Sequence, residues 1–378
     1  MYRQVSIKGI ILLTIVLSFL PSCKQGKKTE GASIVTPQEE AKADTLRLVF
    51  AGDIMTHGPQ IKAADRGHGT YDFTPSFELV RPMIERADLA LANLETTFGG
   101  TPYRGYPMFS SPSSLGSALK EAGFDVLTTA NNHSCDRGHY GVVNTIDVLD
   151  SLGIRTTGSY RTRAERSQRT PSATLYRGYS PSPLLFAYTY GTNGLPIPQP
   201  ALVDTINLEQ ISDDLRRADS FGADYKIVQI HWGNEYEKHP NKRQRDLAAV
   251  LARQGVGAVI GSHPHVVQDS EWIEEEGAKM KSFVIYSLGN FISNQTSPAA
   301  TRGGMLLSLE LIRERSTGKW TTRPSYQYVF VQKRMPSGHP IYRLHPVGLD
   351  SIPEGITPSE TSDLRAMQRH YKSIQLVH

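Results

Sequence analysis

The sequence predicts an α/β fold, and three observations carry that prediction. Short apolar or β-branched runs recur from Thr45 onward and stop abruptly in small polar or chelating residues. Stretches with helical spacing lie between them. No run after residue 22 is long and apolar enough to span a bilayer. Strands alternating with helices argue for an α/β architecture. In such sheets ligand sites gather at the carboxyl ends of the strands.

At 378 residues, with 39% apolar and 21% charged residues, the chain can bury a sizeable core as one large domain or two smaller ones. The formal net charge is +4, and Arg3 and Lys8 within residues 1–22 account for two of those charges, leaving +2. With no global basic field and no long Lys/Arg run, nucleic acid is not an expected partner.

Residues 1–22 read as a processing segment: Arg3 and Lys8 form a positive n-region ahead of a short apolar run over residues 9–20. The run ends in Leu20-Pro21-Ser22-Cys23, which resembles a loose bacterial lipobox. That resemblance implies that Cys23 is lipidated and becomes the mature N-terminus, tying the protein to a membrane of the cell envelope outside the cytoplasm. An ordinary cleaved signal, or an uncleaved anchor with an incidental cysteine, fits the same segment. Residues 23–44 are polar, lack any apolar period and read as a flexible tether. With Cys23 acylated, Cys135 has no cysteine partner, so neither a disulfide nor a zinc-thiolate site is expected.

Along the chain, Leu46-Arg47-Leu48-Val49-Phe50 leads to Gly52-Asp53, and Leu89-Ala90-Leu91-Ala92 to Asn93-Leu94-Glu95. Residues 114–122 and 142–152 have helical spacing and close in Gly123 and Gly153, each suited to a C-cap. Between those helices a strand over residues 125–130 leads to Asn131-Asn132-His133. Residues 207–220 and 241–254 also read as helices, on either side of Lys226-Ile227-Val228-Gln229-Ile230, which leads to His231-Trp232-Gly233. Ala258-Val259-Ile260 leads to Gly261-Ser262-His263-Pro264-His265, and a strand over 283–288 leads to Gly289-Asn290. A further strand reads over 305–312. The domain bearing these strand ends is set at residues 45–312. Residues 313–378, with a β-like run at 326–331 and a helix near 361–371, are expected to complete it.

Six strand ends carrying Asp, Glu, Asn or His are hard to explain as packing. Divalent metals of the zinc, manganese and iron type accept imidazole nitrogen together with carboxylate and amide oxygen. Asp53, Glu95, Asn132, His231, His263 and His265 supply that mixture, for one or two ions. A pair of ions about 3.5–4 Å apart needs a bridging carboxylate, a part that Asp53 or Glu95 suits. In an extended stretch His263 and His265 point the same way, with Pro264 stiffening the spacing; surface histidines capping the next helix also fit that tripeptide. His133 follows Asn132 directly, so it points elsewhere and can meet the substrate. Asp136 reaches back in a turn to orient the imidazole, the layout of a general acid. An Asn-rich turn capping the helix after Gly138 is the plainer alternative. Asn93, Arg104, Trp232, Glu235 and Asn290 are candidates for substrate contact, although Trp232 also suits a packing wall and Arg104 a solvated face. His57, His68, His139 and His239 read as surface groups or groups behind the ligands. No G-x-x-x-x-G-K-[ST] loop and no G-x-G-x-x-G fingerprint occurs, which disfavours ATP-driven ligation by this chain, and there is no G-x-S-x-G elbow.

Gly52-Asp53-Ile54-Met55, Asn93-Leu94-Glu95, the stretch from Ala130-Asn131-Asn132-His133 to Asp136-Arg137-Gly138, His231-Trp232-Gly233-Asn234-Glu235-Tyr236, Gly261-Ser262-His263-Pro264-His265 and Tyr286-Ser287-Leu288-Gly289-Asn290-Phe291 stand in a recognisable order. It is the order of CapA-type poly-γ-glutamate capsule synthesis proteins, which the chain resembles over residues 46–292. That family is similar to calcineurin-like metallophosphatases. The resemblance implies a four-layered α/β/β/α sandwich and an envelope-anchored protein associated with making, exporting or handling poly-γ-glutamate. It further implies that Asp53 is the first-strand aspartate, that Glu95 stands where a bridging aspartate normally lies, and that Asn132 is the amide ligand. His133 falls beside the leaving group, His231 and His263 on one metal, and His265 on the other. Two positions depart from the superfamily: Met55 replaces a histidine, and Glu95 is one methylene longer than aspartate. The expected protein is a metal-dependent hydrolase of an anionic envelope substrate, either a phosphoester or a poly-γ-glutamate-like polymer. Its rival is a non-catalytic member whose cleft binds polymer or partners such as polyglutamate synthase and export proteins. Met55 favours the rival; Asn132, His133 and Asp136 favour catalysis.

Overall fold

Period-2 alternation in the first strand sets the layering. In β1 (Ala43–Ile54), Leu46, Leu48 and Phe50 enter one apolar core while Val49, Ala51 and Ile54 enter another. The strand is therefore buried on both faces. Burying side chains of this size stabilises the fold by about 1.5–3 kcal/mol each. The computed structural model describes residues 43–168, 173–174, 183–276, 280–335 and 340–378. Cys23, the signal segment and residues 23–42 of the tether lie outside the described residues. Ala43 and Asp44, assigned to the tether from sequence, already pair with Glu314 and Arg313 as the start of β1.

The chain builds one half-sheet, then a second sheet, then returns to the first. β2 (Leu89–Leu94), β3 (Val126–Thr128) and β4 (Arg155–Thr157) line up in parallel beside β1. The second sheet comprises β5 (Ala173–Thr174), β6 (Leu184–Thr189), β7 (Lys226–His231), β8 (Ala258–Ser262), β9 (Ser270–Ile273) and β10 (Ser282–Ile285), in the order β9-β10-β8-β7-β6-β5. The strand expected over 283–288 ends at Ile285. Its Gly289-Asn290 end lies instead at β11 (Asn290–Ile292), which crosses to the first sheet and pairs in parallel with β1, Asn290 opposite Asp53. β12 (Gly303–Glu314), β13 (Trp320–Arg334) and β14 (Ile341–Val347) then extend the first sheet as an antiparallel meander on the far side of β1.

Helices cover both outer faces. Of α1 (Ser114–Glu121), α2 (Gly138–Ser151), α3 (Leu208–Ser220), α4 (Lys242–Arg253) and α5 (Pro358–Ser373), α1 packs on the outside of the first sheet, with Leu149 of α2 beside it. α3 and α4 pack on the outside of the second sheet through Ile211, Leu215, Ala248 and Leu251. Side chains from both sheets meet between them: Leu48 and Phe50 with Leu185, Ile227, Ile260 and Phe283. The result is the expected α/β/β/α sandwich. Capping is local chemistry. The Asn207 side chain accepts from Gln210 N at 3.1 Å, Asn241 and Gln244 form a capping box, and Gly123 and Gly153 take positive φ beyond the ends of α1 and α2. α5 is tied to the first sheet and to the loop between β8 and β9, its Tyr371 hydroxyl donating to Gly304 O and its His370 Nε2 lying 2.7 Å from Val267 O.

Candidate metal centre

The parallel strands of the two sheets deliver their carboxyl ends to one edge of the sandwich. Asp53, Glu95, Asn132, His231, His263 and His265 are all buried there. Asp53 is fixed from both sides: its backbone N–H donates to Gly289 O at 2.9 Å, and its Oδ1 accepts from Asn93 Nδ2 at 2.8 Å. Its Oδ2 lies 3.1 Å from His265 Nδ1. The Asn93 amide also reaches Glu95 Oε2 at 3.3 Å, so one side chain ties the two carboxylates together. His231 Nδ1 is 2.9 Å from the Ser262 hydroxyl, which leaves Nε2 aimed at Asn132 Oδ1, 3.0 Å away, and at Glu95 Oε1, 3.6 Å away.

These donors form overlapping sets. Glu95, His231 and His263 bring one ligand atom each within 4.8 Å of one another, and so do Asp53, Glu95 and His265. Glu95 belongs to both, as a bridge must. Its Oε1 stands between His231 Nε2 and His265 Nε2, at 3.6 and 3.8 Å. Those gaps are too long for hydrogen bonds. They lie near the roughly 3.3–3.6 Å that separates two ligands of a tetrahedral ion with bonds of 2.0–2.2 Å. Among the described residues, Glu95 Oε1 and His263 Nδ1 are buried with no hydrogen-bond partner. Leaving such atoms unpaired costs roughly 1–3 kcal/mol each or more, and a cation between them removes that cost. The residues therefore fit a divalent metal.

Electrostatics agree. Burial, reinforced by the Asp53 carboxylate, holds the Glu95 carboxyl well above the usual range. Burial and then the neighbouring His263 push His231 well below the ordinary imidazole value. Burial pushes His263 down to about 3. Neutral imidazoles facing crowded carboxylates suit a cation, which would reverse the rise at Glu95 and keep the imidazoles unprotonated.

Beside this cluster, His133 Nδ1 lies 2.8 Å from Asp136 Oδ2, and that oxygen also accepts from Phe109 N at 2.6 Å. The His133 ring meets the Phe109 ring edge to face at 4.6 Å. Neither residue falls in the donor sets that hold Glu95.

Some sequence expectations need correcting. His263-Pro264-His265 is not extended: both histidines have positive φ, +98° and +58°. The tight bend, not strand alternation, brings their rings to 5.9 Å from one another. Asn93, Trp232 and Asn290, expected at the substrate, are buried. Asn93 is bonded to the carboxylates, Trp232 donates to Tyr286 O at 2.9 Å, and Asn290 Nδ2 donates to Thr301 O at 2.9 Å. Arg104 lies exposed on a segment whose backbone pairs it with Ser110. Glu235 is exposed and brings its carboxylate within 4.8 Å of ligand atoms of His263 and His265.

Residues outside the ligand set also shape the site. Asn131 donates to Leu94 O at 2.7 Å and to Asn93 Oδ1, while its own Oδ1 accepts from His133 N. Tyr190 lies against His263 at 4.7 Å and parallel to His231 at 6.1 Å. With Tyr106 near His133 and Tyr236 near His265 it makes a rim of exposed tyrosines. The doubled asparagine at 131–132 was the one available signal for Asn131. Tyr190 follows a strand that carries no chelator.

The profile of the family described as "Bacterial capsule synthesis protein PGA_cap" matches residues 47–295. "Capsule biosynthesis protein CapA" of Bacillus anthracis is 27% identical over 297 residues, 75% of this chain and 68% of its own. "PGA biosynthesis protein CapA" of Bacillus subtilis (strain 168) is 28% identical over 294 residues, 74% of this chain and 71% of its own. Among solved structures, TT1561 of Thermus thermophilus aligns with 74% of this chain and 99% of its own, at 13% identity and a TM-score of 0.39.

Proposed function

The chain belongs to the bacterial capsule synthesis protein family PGA_cap, and from that premise we propose that it is a metal-dependent hydrolase acting on an anionic polymer or phosphoester of the cell envelope. The observation that carries this reading is the sharing of buried Glu95 between two donor sets, with the His133–Asp136 pair beside them. Asp53, Glu95, Asn132, His231, His263 and His265 hold the metal. When bound, the metal polarises the scissile phosphoryl or carbonyl group and lowers the pKa of a water.

The chain's own residues do the rest. Asp136 occupies Nδ1 of His133 and fixes the ring, so the proton to be delivered sits on Nε2, where a departing alkoxide or amine receives it. Asn93 holds Asp53 and Glu95 in register. Asn131 anchors the turn that presents Asn132 and His133 in different directions. A second reading, a non-catalytic cleft that binds polymer or a partner, is favoured by Met55, which is buried where the superfamily has a ligating histidine.

Turnover of a phosphodiester with a poor leaving group, and the chain length of added poly-γ-glutamate, each followed with Mn²⁺ and with chelator, separate the two. Metal-dependent loss of either substrate supports the hydrolase; retention of polymer without cleavage supports the second reading. We place the protein outside the cytoplasm on the strength of the Leu20-Pro21-Ser22-Cys23 segment. Cys23→Ser should move it from the membrane fraction to the soluble one, and an unchanged distribution with no labelled acyl chain on the wild type would refute that placement.

A further inference from the structure

The two donor sets are unequal. Around His231 stand Glu95, His263 and Asn132, which with His231 make four protein donors. Around His265 stand Asp53 and Glu95, which make three. We propose that Glu235 is the fourth protein ligand at the His265 position. The inference rests on the metal-dependent reading above and deepens it.

Glu235 stands on the loop that follows β7, and two backbone contacts clamp that loop on the His263-Pro264-His265 bend. Trp232 N donates to Ser262 O at 3.1 Å, and Tyr236 N donates to Pro264 O at 2.8 Å. The Gln268 amide donates to the carbonyls of Glu237 and His239 and closes the loop from below. Tyr236 has a φ of +68°, a conformation that costs a non-glycine residue of order 1 kcal/mol or more. The clamp maintains it, and it holds the preceding residue against the bend.

The Glu235 carboxylate thus comes within 4.8 Å of the ligand atoms of His263 and His265. His263 independently points to a ligand: it is 4% exposed, and its Nδ1 has no hydrogen-bond partner among the described residues. A carboxylate over two imidazoles is a donor set that transition-metal ions accept. Because Glu235 is exposed whereas the other donors are buried, it closes the shell from the solvent side.

The clamp uses backbone atoms and Gln268, so Glu235→Gln keeps the loop in place. Metal content per chain after gel filtration, and Mn²⁺ titration followed by electron paramagnetic resonance, read the effect directly. The wild type should bind two Mn²⁺ with the spectrum of an exchange-coupled pair. Glu235→Gln should keep one ion at wild-type affinity, bind the second at least about tenfold more weakly, since even residues behind the ligands change affinity by 10–100-fold, and lose the coupled signal. Its melting temperature in chelator should match the wild type's. Two ions at wild-type affinity in Glu235→Gln overturn the role of Glu235 alone. No ion in the wild type overturns it together with the metal-dependent reading.

Discussion

Oε1 of Glu95 stands 3.6 Å from Nε2 of His231, with both side chains buried and no hydrogen bond between them. Two complementary groups at that distance are held apart by their frameworks as ligands of one ion are. Protein purified without chelator should carry a transition metal, and His231→Ala and His263→Ala should each sharply lower it, because losing one donor from so small a set leaves the ion under-coordinated. Elemental analysis checks this. Unchanged metal in both variants would remove the site.

On the proposed reading, His133 donates the proton and does not ligate the metal. Its Nδ1 is committed to Asp136 at 2.8 Å, and Phe109 walls one side of its ring. His133→Ala should therefore keep its metal and lose roughly 10²–10⁴ in turnover, the usual contribution of one positioned acid. The loss should shrink for substrates whose leaving groups need no proton. Asp136→Asn should show a milder form, since Asn still accepts from Phe109 N. A His133→Ala protein that sheds its metal, or one that turns over a poor-leaving-group substrate at the wild-type rate, sinks the assignment.

The strand ends were legible because two constraints act on the same residues. A buried parallel strand needs a continuous apolar run, and the residue where the run stops faces the site. Asp53, Glu95, Asn132, His231 and His263 all carried both signals. β6 escaped because only the first was present: Leu184-Leu185-Phe186-Ala187-Tyr188 is fully buried yet ends in Thr189, a residue that is no chelator. The bend at His263 and His265 was not legible, since positive φ at both histidines is fixed by tertiary contacts that no local pattern encodes. The same holds for Asn290, which reads as the end of a second-sheet strand and in fact starts one in the first sheet.

His57 gives a pH prediction with a definite sign. It is partly buried, its ring meets Phe109 edge to face, and burial pushes its pKa down to about 4. The unfolded chain has an ordinary value of about 6.5. Between those pH values the unfolded state binds the extra proton, so stability falls as pH drops from about 6.5 to about 4 and then levels off. In chelator, the melting temperature of the wild type relative to His57→Gln should decline across that window and stay constant above it. Parallel curves would show that His57 titrates normally in the folded protein.

Gly52 of β1 lies against the backbone that leads into β11. A Cβ there would lie 1.9 Å from Gly289 O, the oxygen that accepts the Asp53 N–H. No side-chain rotation relieves a clash with backbone, so Gly52→Ala must part β1 from β11 and carry Asp53 with it. Overpacking of this kind destabilises by about 1–3 kcal/mol or more. Here it should also weaken the metal position that depends on Asp53 before the one that depends on His231. Gly58→Ala is the matched control, because a Cβ there meets nothing within 4 Å, and surface changes of that sort stay within about 0.5 kcal/mol. Chemical denaturation and metal content of the two variants provide the measurement. If Gly52→Ala unfolds at the wild-type midpoint with its full metal content, the close approach of Gly52 to Gly289 is not what fixes Asp53.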